Sequence, residues 1–290
     1  MSQTTRAQDH ACLIVHGPDQ PGLVAAVSAL VARNEGNIVS LDQYSSDPEG
    51  GDFFQRVVFH RKDLTAAMPD LRADVQATLE AYGLQWRLSE QSVPKRMAVL
   101  ASTSDHCLLD LLWRHRRGQL PVQIPMVISN HTNVATDVRS FGIPFFHVPS
   151  SGPDKSAAEA RILELVSGNV DFLVLARYMQ IISEDFLDAV GVPVINIHHS
   201  FLPAFIGAAP YRKAHERGVK LIGATSHYVT KDLDEGPIIE QDVTRVDHSM
   251  SAADLQARGA DVERAVLSRA VTWHADDRVV RHGNHTIVFS

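Results

Sequence analysis

The chain has 290 residues, 44% apolar and 21% charged, enough to bury one large core or two ordinary ones. Its formal net charge is −7 with no long basic run, which argues against nucleic acid as main partner and obliges an anionic substrate to find local positive charge or backbone donors. Two distant cysteines, Cys12 and Cys107, argue against a disulfide framework and a cysteine zinc site, and no run of about 18 apolar residues offers a membrane span.

In chain order, Ala11 to Val15 reads as a strand, followed by the turn cluster G-P-D-Q-P-G-L. Leu23, Val24, Val27, Leu30 and Val31 then recur at helical spacing. Asn37 to Tyr44 and Phe53 to His60 read as strands around the loop Asp47 to Asp52. Leu64 to Tyr82 reads as a second helix and Leu84 to Leu88 as a last strand. The order β-α-β-β-α-β within about 80 residues is a ferredoxin-like unit. The polar, Pro-containing stretch Gln91 to Arg96 breaks the pattern, so the expected division is 1–91, a linker at 92–96, and 97–290.

Beyond it the rhythm changes. Met97 to Ala101, Val122 to Ser129, Phe145 to Val148 and Asp171 to Ala176 read as strands. They alternate with helices over His106 to Arg116, Val134 to Phe141 and Ser156 to Val166. This pattern predicts a Rossmann-like α/β domain with a mostly parallel sheet, whose ligands sit beyond the C-terminal ends of strands.

One such end is Val192 to Ile197 running into I-N-I-H-H-S-F-L-P. In an extended strand Asn196 and His198 project to one face and His199 to the other. Asn offers two N–H donors and His can donate or take a proton, a pair suited to polarising a carbonyl. The plain alternative is a satisfied polar cluster. A second element, G-A-T-S-H-Y-V-T-K-D-L-D-E-G-P-I-I from Gly223 to Ile239, carries a strand over Ala224 to Val229 and then a tight acidic loop with Asp232, Asp234 and Glu235. Such a loop is often just a solvated turn, but one of its acids could face the Asn/His pair and serve as a base. A rival reading makes His198, His227 and Asp234 a three-ligand metal site, although no H-x-x-x-H or H-E-x-x-H occurs among the 15 histidines. No G-x-S-x-G elbow points to a serine hydrolase.

Taken together, N-I-H-H-S-F-L-P-A-F, G-A-T-S-H-Y-V-T-K-D-L-D-E-G-P-I-I-E-Q, D-H-C-L-L-D-L-L, P-M-V-I-S-N-H, L-A-R-Y-M-Q-I-I-S and the final R-V-x-x-x-G-N-x-T-I-V-F resemble the folate-dependent formyltransferase and hydrolase fold. Within it the chain is most similar to the formyltetrahydrofolate deformylase family, and the resemblance spans nearly its whole length. The N-terminal G-P-D-Q-P-G-L-V-A-A-V unit is similar to ACT domains, small regulatory modules.

The resemblance implies hydrolysis of 10-formyltetrahydrofolate to tetrahydrofolate and formate, without metal or other cofactor, balancing the one-carbon pool that feeds purine biosynthesis; the two distant cysteines fit a reducing cytoplasm. It places the catalytic triad on Asn196, His198 and Asp234. The substrate's pterin would lie against Arg177, Tyr178, Met179, Gln180, Ile181 and Ile182, and against Val229, Thr230, Lys231, Asp232 and Leu233. Arg177 either meets a substrate carboxylate or braces the sheet. An ACT module would pair with a second copy, giving a dimer or tetramer, and bind an amino acid such as glycine or methionine through Asp19, Gly22, Leu23, Asn37 and Ile38; the plain alternative is dimerisation only. Amine-formylating relatives with this fold cradle an acceptor phosphate in a Gly-rich loop. Ser102 to Cys107 has no glycine and carries Asp105, which favours water over an amine as acceptor. Formyl transfer to an amine is the alternative activity, and an amino-acid-binding regulator with an inactive catalytic half is a third. Ile206 and Ala209 stand where the family pattern leads one to expect lysines.

Overall fold

The computed structural model describes residues 8–150, 155–203 and 210–289, so Ile206 and Ala209 lie outside the described residues. The chain divides into two units. One comprises Met1–Pro94, Asp276–Val280 and Ile287–Ser290, the other Lys95–Ala275 and Arg281–Thr286.

The first unit contains β1 (His10–Pro18), α1 (Leu23–Arg33), β2 (Asn37–Ser45), β3 (Asp52–His60), α2 (Leu64–Glu80) and β4 (Gln85–Glu90). Its antiparallel sheet has the order β2-β3-β1-β4, the βαββαβ arrangement expected. Helix α1 buries Leu23, Val27, Leu30 and Val31, a stripe at i, i+4, i+7 and i+8 that faces the sheet. Each such side chain contributes roughly 1.5–3 kcal/mol by leaving water. The opposite sheet face packs Cys12, Ile14, Phe54 and Val58 against Val280 and Phe289. Buried Arg56 donates to the carbonyls of Asp276 and Asp277, at 3.1 and 3.0 Å, and Asp277 takes hydrogen bonds from Ser89 and Arg87. Residues 276–280 therefore return to the first unit, where the sequence pattern assigned everything after residue 97 to a single domain.

The second unit contains β5 (Lys95–Ala101), α3 (His106–Arg116), β6 (Val122–Gln123), β7 (Val127–Ser129), α4 (Ala135–Ser140), β8 (Phe145–His147), α5 (Ser156–Val166) and β9 (Phe172–Ala176). There follow α6 (Glu184–Val190), β10 (Val194–His198), α7 (Pro210–Arg217), β11 (Leu221–Tyr228), β12 (Ile238–Arg245) and α8 (Ala252–Ala275). The strands β13 (Val279–His282) and β14 (His285–Val288) form a small ribbon. The main sheet runs β12-β11-β10-β9-β5-β7-β8. Strands β10, β9, β5, β7 and β8 are parallel, and β11 and β12 add antiparallel to one edge. One expected strand, Val122 to Ser129, is broken into β6 and β7. Pro125 lies between them and cannot donate to a sheet ladder. At the end of α8, Lys95 Nζ donates to the carbonyls of His274 and Ala275, both at 3.0 Å, supplying the charge and donors that a helix C-terminus lacks.

Candidate active site

The site is built where β9 and β10 end and β11 turns back. Parallel pairing sets Asn196 beside Leu175, and antiparallel pairing sets Asn196 opposite His227. Directly opposed residues share a face, so the two polar side chains meet: Asn196 Nδ2 lies 3.2 Å from His227 Nε2. His227 Nδ1 lies 2.9 Å from the carbonyl of Tyr228, to which it donates. That bond fixes the tautomer and leaves Nε2 to accept from Asn196. Burial, aided by the neighbouring His198, holds the His227 pKa below the ordinary value, so the ring stays neutral.

Asp234 arrives from the loop after β11. Its backbone is left-handed at φ 59, as are those of Arg177 and Met179 at the end of β9. Three non-glycine residues in that region around one cavity mark backbone held in place by its surroundings. Gly236 is required by packing: a Cβ there would collide with the carbonyl oxygen of Tyr228. Tyr228 N donates to the carbonyl of Pro237 at 2.9 Å and Glu235 N to that of Asp232 at 3.3 Å, so the loop folds back on the strand. His198 Nδ1 donates to Asp234 Oδ1 at 3.2 Å, and His227 Nε2 lies 3.8 Å from the same oxygen. The hydrogen bond from His198 outweighs burial and holds the Asp234 carboxyl below the usual range, ionised at neutral pH. The opposite ring nitrogen of His198, Nε2, is buried and has no hydrogen-bond partner among the described residues. The turn after His198 is braced from below: Thr225 Oγ1 donates to Ser200 O and accepts from Leu202 N and Gln241 Nε2.

These groups line a cavity of about 380 Å³. Its wall takes in Arg177 through Ile182, Val229 through Leu233, and Asn196, His198 and Asp234, so all the positions singled out for substrate and chemistry stand around one space. Met179, Ile181 and Leu233 are exposed apolar side chains in this wall, while Tyr178 and Ile182 belong to the core. The sequence pattern missed His227 as the bridge between Asn196 and Asp234, and His199 as a lining residue. His199 neighbours His198 edge to face, ring centres 5.1 Å apart. Burial, followed by the Arg177 and His198 charges, lowers its pKa to about 4.

Behind the cavity wall lies a buried cluster centred on Glu263 of α8. It accepts from His106 at 2.8 Å, Tyr211 at 2.6 Å and Arg177 at 3.2 Å. Gly259, one turn earlier, leaves room for the Tyr211 hydroxyl. Burial pushes the Glu263 carboxyl upward, but the His106 bond, the Arg177 charge and the Tyr211 hydroxyl more than offset it and hold the pKa low. His106, Cys107 and Glu263 bring their ligand atoms within 4.8 Å of one another, as a metal site would need. The Arg177 guanidinium on the same Glu263 oxygen places positive charge where a cation would sit, and burial pushes the Cys107 thiol up, keeping it protonated.

In the first unit, Asp19, Gly22 and Leu23 line a separate open cavity of about 460 Å³ at the start of α1. Asn37 and Ile38 do not line it; they lie at the start of β2, the edge strand. Among the described residues no helix is long and apolar enough to cross a membrane.

Residues 95–271 match the family model described as Formyl transferase, and residues 13–76 the ACT domain. The chain is 60% identical to a formyltetrahydrofolate deformylase of Mycobacterium tuberculosis over 278 residues, 96% of this chain and 90% of that one. It is 49% identical to that of Bacillus subtilis, over 98% of this chain and 95% of the other. A crystal structure of a formyltetrahydrofolate deformylase from Pseudomonas syringae superimposes with a TM-score of 0.94 at 41% identity, covering 99% and 96% of the two chains. Both halves and the order in which they are joined recur in these proteins, and the chain belongs to the formyltetrahydrofolate deformylase family.

Proposed function

We propose that the protein hydrolyses 10-formyltetrahydrofolate to tetrahydrofolate and formate, with water as acceptor and no metal in the chemistry. The observation that carries this reading is the chain Asn196–His227 and His198–Asp234 in the wall of a mostly apolar cavity of ligand size. The pterin occupies the apolar part, between the Met179–Ile182 segment and the Val229–Leu233 loop. The N10-formyl group reaches the strand end. Asn196, with one N–H on His227 and a second free to donate, and His198 through Nε2 hold the formyl oxygen as it becomes an oxyanion. Ionised Asp234 orients and deprotonates water directly while His198 donates through Nε2; in the alternative route His198 Nε2 takes the water proton and Asn196 alone holds the oxyanion, and in either route a proton goes to N10 as the C–N bond breaks. Mutagenesis of comparable oxyanion donors suggests that each contributes about 10²–10³-fold in rate.

Hydrolysis in ¹⁸O-labelled water tests this directly. Formate carrying one solvent oxygen is the expected product. Retained turnover only when an amine is added, with the formyl group on that amine, would replace water by an amine acceptor.

In the first unit we propose an amino-acid effector at the start of α1, where Asp19, Gly22 and Leu23 surround backbone N–H groups that suit a carboxylate. A second copy packed along β2 would bring Asn37 and Ile38 to such a site. Equilibrium dialysis with glycine and with methionine is the check: binding of either supports the site, and binding of neither leaves the module as a dimerisation element. We place the protein in the cytoplasm, a setting suited to its two buried free thiols.

A further inference from the structure

We propose that Arg177 is a built-in anion site, which receives the carboxylate of formate as it leaves the catalytic centre. This rests on the hydrolase reading. The reaction adds water oxygen to the formyl carbon, breaks the C–N bond, protonates the nitrogen and releases formate with a proton. An anion is thus born beside ionised Asp234, in a chain of net charge −7. Without a cation nearby, the product and Asp234 repel each other in a site of reduced dielectric.

Among the described residues, two Lys/Arg side chains stand in the cavity wall. Lys231 is 64% exposed and lies 3.8 Å from Glu184, so it belongs to the rim. Arg177 is 12% exposed and sits at the end of β9, next to the strand that carries His198. Its Nη1 is fixed on Glu263, which His106 and Tyr211 hold from two other sides. Its Nε–H is buried and has no partner among the described residues. Buried guanidinium donors are normally satisfied, because an unmade charged hydrogen bond is costly. Among the described residues, the other buried ring or guanidinium nitrogen in this wall without a partner is His198 Nε2, the atom offered to the formyl group. The left-handed backbone at Arg177 is a second mark of a side chain placed against local preference. A fixed, half-satisfied guanidinium suits a small planar carboxylate, whereas the tail carboxylate of a folate would meet the exposed rim.

The test titrates ¹³C-labelled sodium formate into the full-length protein and follows its binding by NMR. The same formate series is run as an inhibitor of turnover. Arg177→Gln is expected to weaken formate in both measurements by about tenfold or more. Arg177→Lys keeps the charge but lacks the Nε–H, and is expected to weaken formate about threefold. Formate affinity unchanged in folded Arg177→Gln overturns the proposal, as does absence of saturable binding to the unaltered protein. Where Arg177→Gln does not fold, an unchanged affinity in Arg177→Lys overturns it instead. Arg177-dependent formate binding without hydrolysis would retain the site and remove the hydrolase reading, whereas hydrolysis with Arg177-independent binding does the reverse.

Discussion

At the scale of single residues the site depends on which atoms hold protons. Asp234 is kept ionised by His198, so Asp234→Asn retains shape but loses the proposed base. Turnover is expected to fall by about three orders of magnitude with the melting temperature little changed; a variant keeping most of its rate would remove Asp234 from that role. His227 has no direct part in the proposed chemistry, but it orients Asn196. His227→Ala should lower kcat by about ten- to a hundredfold with a smaller change in KM, because a misplaced donor fails mainly in the transition state. His199 supplies a pH signature. Its pKa is about 4 in the folded protein and near 6.5 when unfolded, so between those values only the unfolded chain takes up the proton. Stability is then fully present above about pH 6.5 and is lost as pH falls towards 4, by up to about 1.4 kcal/mol per pH unit for one such group. His227 shifts in the same direction and adds to the trend. Urea unfolding at pH 7 and pH 5 should show a smaller loss for His199→Asn than for the unaltered chain; equal losses would contradict the assignment.

At the scale of elements, the loop between β11 and β12 brings the acid to the histidine. Gly236 lets it lie against the carbonyl of Tyr228. Gly236→Ala is expected to cost about 1–3 kcal/mol through forced displacement, and to lower kcat about a hundredfold, since a shift of about 1 Å at a reacting group has that effect. Activity and unfolding measured on the same preparation check both numbers. The elements also show what was legible beforehand. Asn196 and His198 could be read as a polar pair because a strand alternates its faces, and the acidic loop stood out by its bracketing Gly236-Pro237. His227 was visible only as one histidine in a strand. Its role depends on the antiparallel register with β10, which pairs residues 31 positions apart and leaves no local pattern. Glu263 was hidden for the same reason, as one acid in a 24-residue helix whose partners come from α3, α7 and the end of β9. The break between β6 and β7 was readable in Pro125 but overridden by the apolar run around it. The return of residues 276–280 to the first unit follows from Arg56 and Asp277, a pair that no periodicity announces.

At the scale of the whole molecule, a regulatory-type module and a catalytic half are carried on one chain. The edge strand β2 exposes Val39, Leu41 and Tyr44, apolar side chains suited to a second copy. Sedimentation equilibrium is expected to give at least a dimer, and a Val39→Asp, Leu41→Lys double variant a smaller species; an unaltered assembly would place the interface elsewhere. In the proposed reaction this chain alone, with water, completes the chemistry. The most direct measurement is formate release from 10-formyltetrahydrofolate in metal-free buffer with EDTA and no amine. Steady formate with an equal amount of tetrahydrofolate is the predicted result. Bound folate with no turnover until an acceptor amine or a metal is supplied would contradict it.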